Sequence, residues 1–526
     1  MIQSLRAHIS FLIAFVLLTT FSWSCQSARW SRLIVNPDFP IAAQMTRPNA
    51  VYIIKNTVDL KGHRLIMPNN SVLLFKGGKL CNGTIVGNNT IIEAGKTIIM
   101  ENVDIDSKGT WNNNEGYPEW FGASNNAAID SKIAIQKAVL VSKTCVLTQE
   151  YYTSYDTPTN TGTGASLCAI AIKGRNIIGK KGNKLYIDAK FSNTERTSVF
   201  WIGDDVTIDG VNILYLNEDH SGWTGKQAGV YRIEGGNVTI QNTSLRGAMA
   251  AWINLLGRSH RRNYKFLNNF VHDCDCGLII QGGQHKPGEI YSMNLIMENN
   301  IIEKEKERHS EFVSFWGSCK ENGIVYYSDV IIRGNKFSGG WQGSCIIGDK
   351  ESNGLRNVSI SDNEFYDCGA CSFYNADGLT YVRNYVTGST YLERQVKGIK
   401  GSYPNLSFTN CRNCTIDDVS CFGLSFKNCK DLKIGRVKQT LCMDADEPYL
   451  NQKDYITNFI GIRAENSNVT IGELIVNPYA DEHVRTSKCK YYVFRGTGSE
   501  VNVLRMKSNI PVQDSKKLLK VKQMVQ

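Results

Sequence analysis

From about residue 200 to 390 the chain keeps returning to one pattern of apolar and polar positions. A short run alternates apolar with polar residues. An asparagine follows, then a large apolar residue, a polar turn and a second alternating run. The first runs read NVTIQNTSL, YKFLNNFV, NLIMENNII, DVIIRGNKF, NVSISDNEF and TYVRNYV. Alternation of period two marks strands with one buried face. The asparagines Asn242, Asn269, Asn300, Asn335, Asn363 and Asn384 recur at steps of about 27, 31, 35, 28 and 21 residues. Internal repeats of this period predict a solenoid. The unequal steps favour a β-solenoid, which fixes its strands and lets loops of any length leave at the corners. Asparagine suits a corner: it tolerates left-handed backbone angles, and its amide can bond the amide of the next coil. The second runs, AAWINLLG, CGLIIQGG, EFVSFWGS, SCIIGD and CSFYNADG, end in the Gly or Asp that a further corner needs. LSFTNCRNCTIDDV and LSFKNCKDLKIGRV are near copies about 18 residues apart, and VTIGELIV reads as a last partial coil.

These patterns divide the chain into a leader at 1–24, a β-rich N-terminal region at 25–115, a solenoid at 116–480, and a C-terminal cap with a basic tail at 481–526. One helix is expected near 129–142, with Ile133, Ile135, Ala138 and Val139 on its apolar side. An open solenoid leaves unpaired strand edges at its ends, and a short amphipathic helix laid across the first coil covers them. Asp130 stands where its carboxylate can bond the free N–H groups of that helix. The fold class is therefore all-β, a parallel β-solenoid with a short N-terminal capping helix.

Composition adds compartment and charge. With 526 residues and 42% hydrophobic content the chain has ample material for a core. Arg6 and His8 precede an apolar run from Ile9 to Phe21, then Ser22-Trp23-Ser24-Cys25. That is the layout of a signal peptide, too short to span a membrane comfortably. Cys25 after Ser24 resembles a bacterial lipoprotein site, with Cys25 as the lipidated terminus; ordinary signal cleavage is the alternative. The expected location is the bacterial cell envelope, with membrane contact only through that anchor. A net charge of +10 suits an acidic partner, beside the plain reading of solubility charge. Of 16 cysteines, 15 remain without Cys25, and an odd number argues against a full disulfide framework. Cys274, Cys345, Cys368, Cys411 and Cys429 read instead as small buried core residues.

Phe121-Gly122-Ala123, a polar turn, Asp130 and then Ala134-Ile135-Gln136-Lys137-Ala138 resemble the entry motif of the pectate-lyase-like right-handed parallel β-helix superfamily. The usual Gly-Asp-Gly turn is replaced by Ser124-Asn125-Asn126, and one acid is placed where the motif has two. Residues 60–88 are similar to leaders on Bacteroidetes-type exported β-helix proteins. The resemblance implies a right-handed parallel β-helix. It also implies a role among polysaccharide lyases, epimerase-like enzymes, rhamnogalacturonases or tailspikes. The motif caps the coil and carries no chemistry, so activity must be read from the site.

A lyase on uronic acids needs a base for the C5 proton and a cation for the carboxylate. A hydrolase needs two carboxylates across the glycosidic bond. Arg308, His309 and Glu311 offer cation, base and acid beside Trp316, a ring that can stack on sugar; a solvated charged corner is the alternative. His272 and Asp273 lie one coil earlier, and would merge with them if both histidines stack on one face. Arg258, His260 and Arg261 form a basic loop that can grip a polyanion or be no more than a surface patch. Asp349, Glu351, Asp367 and Asp377 supply acids for a hydrolase, with Lys350 between the first two as a substrate-binding cation, and Asn375-Ala376-Asp377-Gly378 is a partial echo of polygalacturonases. Cys274-Asp275-Cys276 and Cys411-Arg412-Asn413-Cys414 have ligand-like spacing but lack the second pair that a zinc site needs. No cofactor is indicated, with calcium through aspartates left open. Three functions follow: a lyase acting on an acidic glycan, a glycoside hydrolase on the same scaffold, or a non-catalytic glycan binder. The partner is a polysaccharide, and nothing points to nucleic acid.

Overall fold

The computed structural model describes residues 30–155, 168–188, 196–216, 227–248, 251–256, 261–274, 276–304, 311–319, 323–339, 346–348, 353–366, 371–387, 405–421, 423–440, 458–477, 491–514 and 519–525. The chain divides into two compact units, Met1–Asn113 and Asn114–Gln526.

In the first unit the strands Ser31–Ile34, Ala50–Ile54, Val72–Phe75 and Ile91–Glu93 form one parallel sheet. Thr57–Asp59, Lys79–Val86, Arg64–Ile66 and Met100–Ile105 form a second. Asn70 and Asn89, at φ 53° and 51°, carry an amide ladder over successive turns.

The second unit is a parallel β-coil with three faces. Among the described residues its sheets hold 16, 9 and 13 strands, and each strand pairs in parallel with its counterpart one turn later. This is the parallel β-helix that the entry motif implies. Each turn visits the 16-stranded sheet, then the 9-stranded, then the 13-stranded. The sequence pattern resolves two strands per turn. The structure adds a third, because the large apolar residue after each asparagine is the centre of a three- or four-residue strand: Leu245, Val271, Ile302, Phe337 and Phe365. These strands are too short to show alternation in sequence. Their central residues are fully buried and stack in the core, as in Phe337 over Phe365 with ring centroids 5.2 Å apart.

The asparagines are the corner posts. Asn269, Asn300, Asn335, Asn363 and Asn384 are buried and form a continuous ladder, each Nδ2 donating to the next Oδ1 at 2.9 Å. Asn242 is a correction. It lies on the exposed side at φ 52°, where its amide donates to Asp209, and the buried ladder begins instead at Thr243. The cause is a one-residue shift: Asn242 takes the left-handed position that its neighbours in later coils give to Asn268 and Asn299.

The helix Lys132–Val141 buries Ala134, Ile135, Gln136, Ala138, Val139 and Val141. It closes strand edges in a specific way. Gln136 donates from Nε2 to the Ala171 carbonyl at 3.1 Å and accepts the Ala171 N–H at 2.8 Å. Ala171 lies on Cys168–Ile172, the first strand of the 13-stranded sheet. One side chain thus acts as the missing strand. Asp130 bridges Tyr152 on Glu150–Thr153, the first strand of the 9-stranded sheet, and Ser131 N donates to Tyr152 O at 2.8 Å. Asp130 Oδ1 also accepts the N–H of Lys132 at 2.9 Å, and Oδ2 the hydroxyl of Ser154 at 2.7 Å.

At the other end, a cap from 481 gives way to more coil. Tyr491–Thr497, Glu500–Ser508 and Leu519–Val525 continue the two long sheets in parallel register. The lysines of the last strand, Lys520 and Lys522, alternate outward between Leu519, Val521 and Gln523. A charge run thus hid an ordinary strand alternation.

Candidate functional site

The 9-stranded sheet places one residue per coil in each of two outward rows. One row runs, in strict register, Tyr152, Tyr186, Leu214, Arg246, His272, Glu303, Ser338 and Tyr366. Adjacent members sit on neighbouring strands, about 4.8 Å apart along the coil. Leu245, Val271 and Ile302 face the core, so Arg246, His272 and Glu303 face outward on three successive coils. At one end Tyr152 and Tyr186 stack with centroids 4.6 Å apart and planes 17° from parallel. At the other end Tyr366 is 59% exposed. The neighbouring row exposes Phe270, Ile301 and Tyr385. The face therefore combines aromatic surface with a central cation, imidazole and carboxylate.

The imidazole of His272 is half-buried, and its ring centroid lies 6.4 Å from that of Phe270. Its Nδ1 is buried and has no hydrogen-bond partner among the described residues. Asp273, expected to orient this ring, therefore does not bond Nδ1. It is the left-handed corner residue at φ 60°, 8% exposed, and its N–H donates to the Glu303 carbonyl at 2.7 Å. The next coil offers Glu303 and the previous one Arg246, neither of which the sequence singled out. Their spacings from His272 differ, so only the strand register brings the three together.

Glu311 and Trp316 belong to a different face. Trp316 pairs with Gln281 on the 13-stranded sheet. Glu311 precedes the same strand. Its Oε2 accepts from Ser314 Oγ at 3.1 Å, and its carbonyl accepts from Lys304 Nζ at 3.0 Å. Lys304 also lies 4.7 Å over the Phe312 ring. Glu311 is thus tied into a corner. Outward on this sheet, Trp201, Arg232 and Asn254 align on successive strands, and Arg232 Nε pairs with Glu234 at 2.9 Å. Arg261 pairs with Asp205 at 2.9 Å. Asp377, an expected hydrolase acid, accepts from Asn413 at 2.8 Å and Arg412 at 3.0 Å, and Arg356 lies 3.4 Å away. The Asn413 hydrogen bond, with those arginines, holds its carboxyl below the usual range. Cys25, Arg258, His260, Arg308, His309, Asp349, Lys350, Glu351 and Asp367 lie outside the described residues, as does the Trp316 side chain. Among the described residues no group of three or more His, Cys, Asp or Glu could hold a metal ion, and no helix is long and apolar enough to cross a membrane.

No family model matches the chain, and no curated protein matches it either. Solved structures do. The A-module of the Azotobacter vinelandii mannuronan C-5 epimerase AlgE6 is 11% identical, covering 78% of this chain and 99% of its own at a TM-score of 0.35. The Streptococcus pneumoniae surface protein and adhesin PfbA is 12% identical over 78% of this chain and 99% of its own, with a TM-score of 0.34. A PL6 alginate lyase in complex with trisaccharide is 10% identical over 79% and 88%, with a TM-score of 0.35. At these identities no activity transfers to this chain. The parallel β-helix stands on its own strand pairing.

Proposed function

We propose that the protein is an exported carbohydrate-active β-helix that cleaves an acidic, uronate-containing glycan by β-elimination. The observation that carries this reading is the register of Arg246, His272 and Glu303 on adjacent coils of one outward face. In β-elimination a base takes the proton next to the carboxylate, and a cation stabilises the charge that builds on the carboxylate oxygens. His272 is the base, Arg246 the cation one coil before it, and Glu303 the carboxylate one coil after it. Tyr152 and Tyr186 at one end and Tyr366 at the other give ring faces for sugar stacking, so the chain lies along the coil axis. Arg308 and His309, outside the described residues, remain candidates for the site. Export, lipidation at Cys25 and the acidity of the glycan belong to the same proposal.

The test is activity on uronate polymers, read by the absorbance of the unsaturated product. His272→Ala is expected to lower kcat at least 100-fold, the ordinary size of a general-base contribution. Arg246→Ala is expected to lower kcat/KM by a similar factor, while Glu311→Ala changes little. Full activity in both His272→Ala and Arg246→Ala would remove this row as the site.

The second reading, a glycoside hydrolase, loses Asp377 to its ion pairs and keeps only acids outside the described residues.

A further inference from the structure

The shortest repeat of the coil brings two cysteines into one ladder position. Asn405–Thr409 pairs in parallel with Gly423–Lys427, residue for residue. The corner that follows keeps the same register. Asn410 and Asn428 are left-handed at φ 54° and 53°, and Asn428 Nδ2 donates to Asn410 Oδ1 at 3.1 Å across a step of 18 residues. Lys430 N then donates to the Cys411 carbonyl at 3.0 Å. Cys411 and Cys429 are therefore direct neighbours on adjacent coils, about 4.8 Å apart at Cα. That spacing lies within the range a disulfide spans.

Later coils show what the position ordinarily does. Cys429 N donates to Ser467 Oγ at 2.9 Å, and Ser467 N to Ser499 Oγ at 2.9 Å. A hydroxyl serves there as the acceptor that joins one coil to the next. Between Cys411 and Cys429 sulfur faces sulfur instead. Each thiol bonds the carbonyl two residues back, Cys411 to Thr409 at 3.3 Å and Cys429 to Lys427 at 3.4 Å, as Ser467 does to Glu465 at 2.8 Å. Cys414 completes the cluster, with its thiol on the Arg412 carbonyl at 3.2 Å. All three are buried, at 1%, 2% and 0% exposure for Cys411, Cys429 and Cys414. Cys411, as a hydrogen-bonding neighbour of either sulfur, pulls the Cys414 and Cys429 thiols down against the opposing effect of burial.

We propose that Cys411 and Cys429 form a reversible disulfide that staples two adjacent coils of the β-helix. The oxidant is a small disulfide such as oxidised glutathione. The Cys429 thiolate attacks one sulfur of that disulfide, a mixed disulfide forms, and the first glutathione leaves as a thiolate that takes up a proton. Cys411 loses its proton, its sulfur attacks that of Cys429, and the second glutathione leaves in the same way. Two protein thiols are oxidised and one glutathione disulfide is reduced to two thiols. Because the sulfurs are buried, exchange takes place as this coil opens locally. The proposal is independent of the glycan reading.

The full chain is incubated with oxidised glutathione, denatured, alkylated and digested without reduction, and the peptides are weighed. The expected product is a peptide pair joined through Cys411 and Cys429, two hydrogens lighter than the free pair and released by dithiothreitol. It persists in Cys414→Ala and is absent from Cys429→Ser. The oxidised protein should also unfold at a higher temperature than the reduced one, a difference lost in Cys429→Ser. Recovery of all three cysteines as alkylated thiols, or of a link between Cys411 and Cys414, would overturn the proposal.

Discussion

Asn335 holds three coils together with one side chain. Its Oδ1 accepts from Asn300 N and Nδ2 at 2.9 Å, and its Nδ2 donates to Met297 O at 3.0 Å and Asn363 Oδ1 at 2.9 Å. All of these groups are buried, and a buried donor or acceptor without a partner costs about 1–3 kcal/mol. Asn335→Ala is therefore expected to destabilise the coil by about 3 kcal/mol, read as a lower denaturant midpoint. Asp377 gives a pH signature. Its native bonds hold its pKa below the unfolded value of about 3.9. Their stabilisation is fully present above that value and is lost as pH falls through the native pKa. The thermal midpoint of the wild type should drop below about pH 4 more steeply than that of Asp377→Asn. Equal slopes would mean that the contacts of this carboxylate, 20% exposed, contribute nothing. At this scale the sequence was readable where chemistry is local. A recurring asparagine states its own reason, and five of the six expected positions are ladder members. The sixth, Asn242, failed because it and Thr243 are both polar and the pattern does not say which turns inward.

The capping element works through one glutamine. Gln136 supplies the N–H acceptor and C=O donor that Ala171 would otherwise lack at a sheet edge. Gln136→Ala is expected to cost about 1–3 kcal/mol and to expose an edge ready for pairing with another chain. The readouts are the unfolding midpoint and light scattering on standing. A variant as stable and as monodisperse as the wild type would show that the helix covers the end by apolar packing alone. The amphipathic pattern of Lys132–Val141 was legible at Ile135, Ala138 and Val139 but not at Ile133, which was expected on the apolar side and is 57% exposed. The middle strand of each turn was not, since Ser244–Arg246 and Phe270–His272 are three residues long and sit between turn residues. The last coils were missed because outward lysines on Leu519–Val525 outweighed the apolar positions between them.

For the whole molecule, the sequence yielded a stacked coil but not the map from one coil to the next. That map depends on loops of unequal length. His272 could be chosen from its type, whereas Arg246 and Glu303 became its neighbours only through register. Glu311, on the coil after His272, belongs to another face. The same register sets the polarity of the proposed glycan bed: paired tyrosines, then the charged centre, then Tyr366.

The measurement that tests this account most directly is a screen of the protein from about residue 26 onward against acidic and neutral polysaccharides. Ultraviolet absorbance and reducing ends are recorded together, for the wild type and for His272→Ala. The account predicts absorbance rising in step with reducing ends on a uronate polymer, and loss of both in the variant. Reducing ends without absorbance would contradict it in favour of hydrolysis, and saturable binding with neither signal would make the protein a glycan binder.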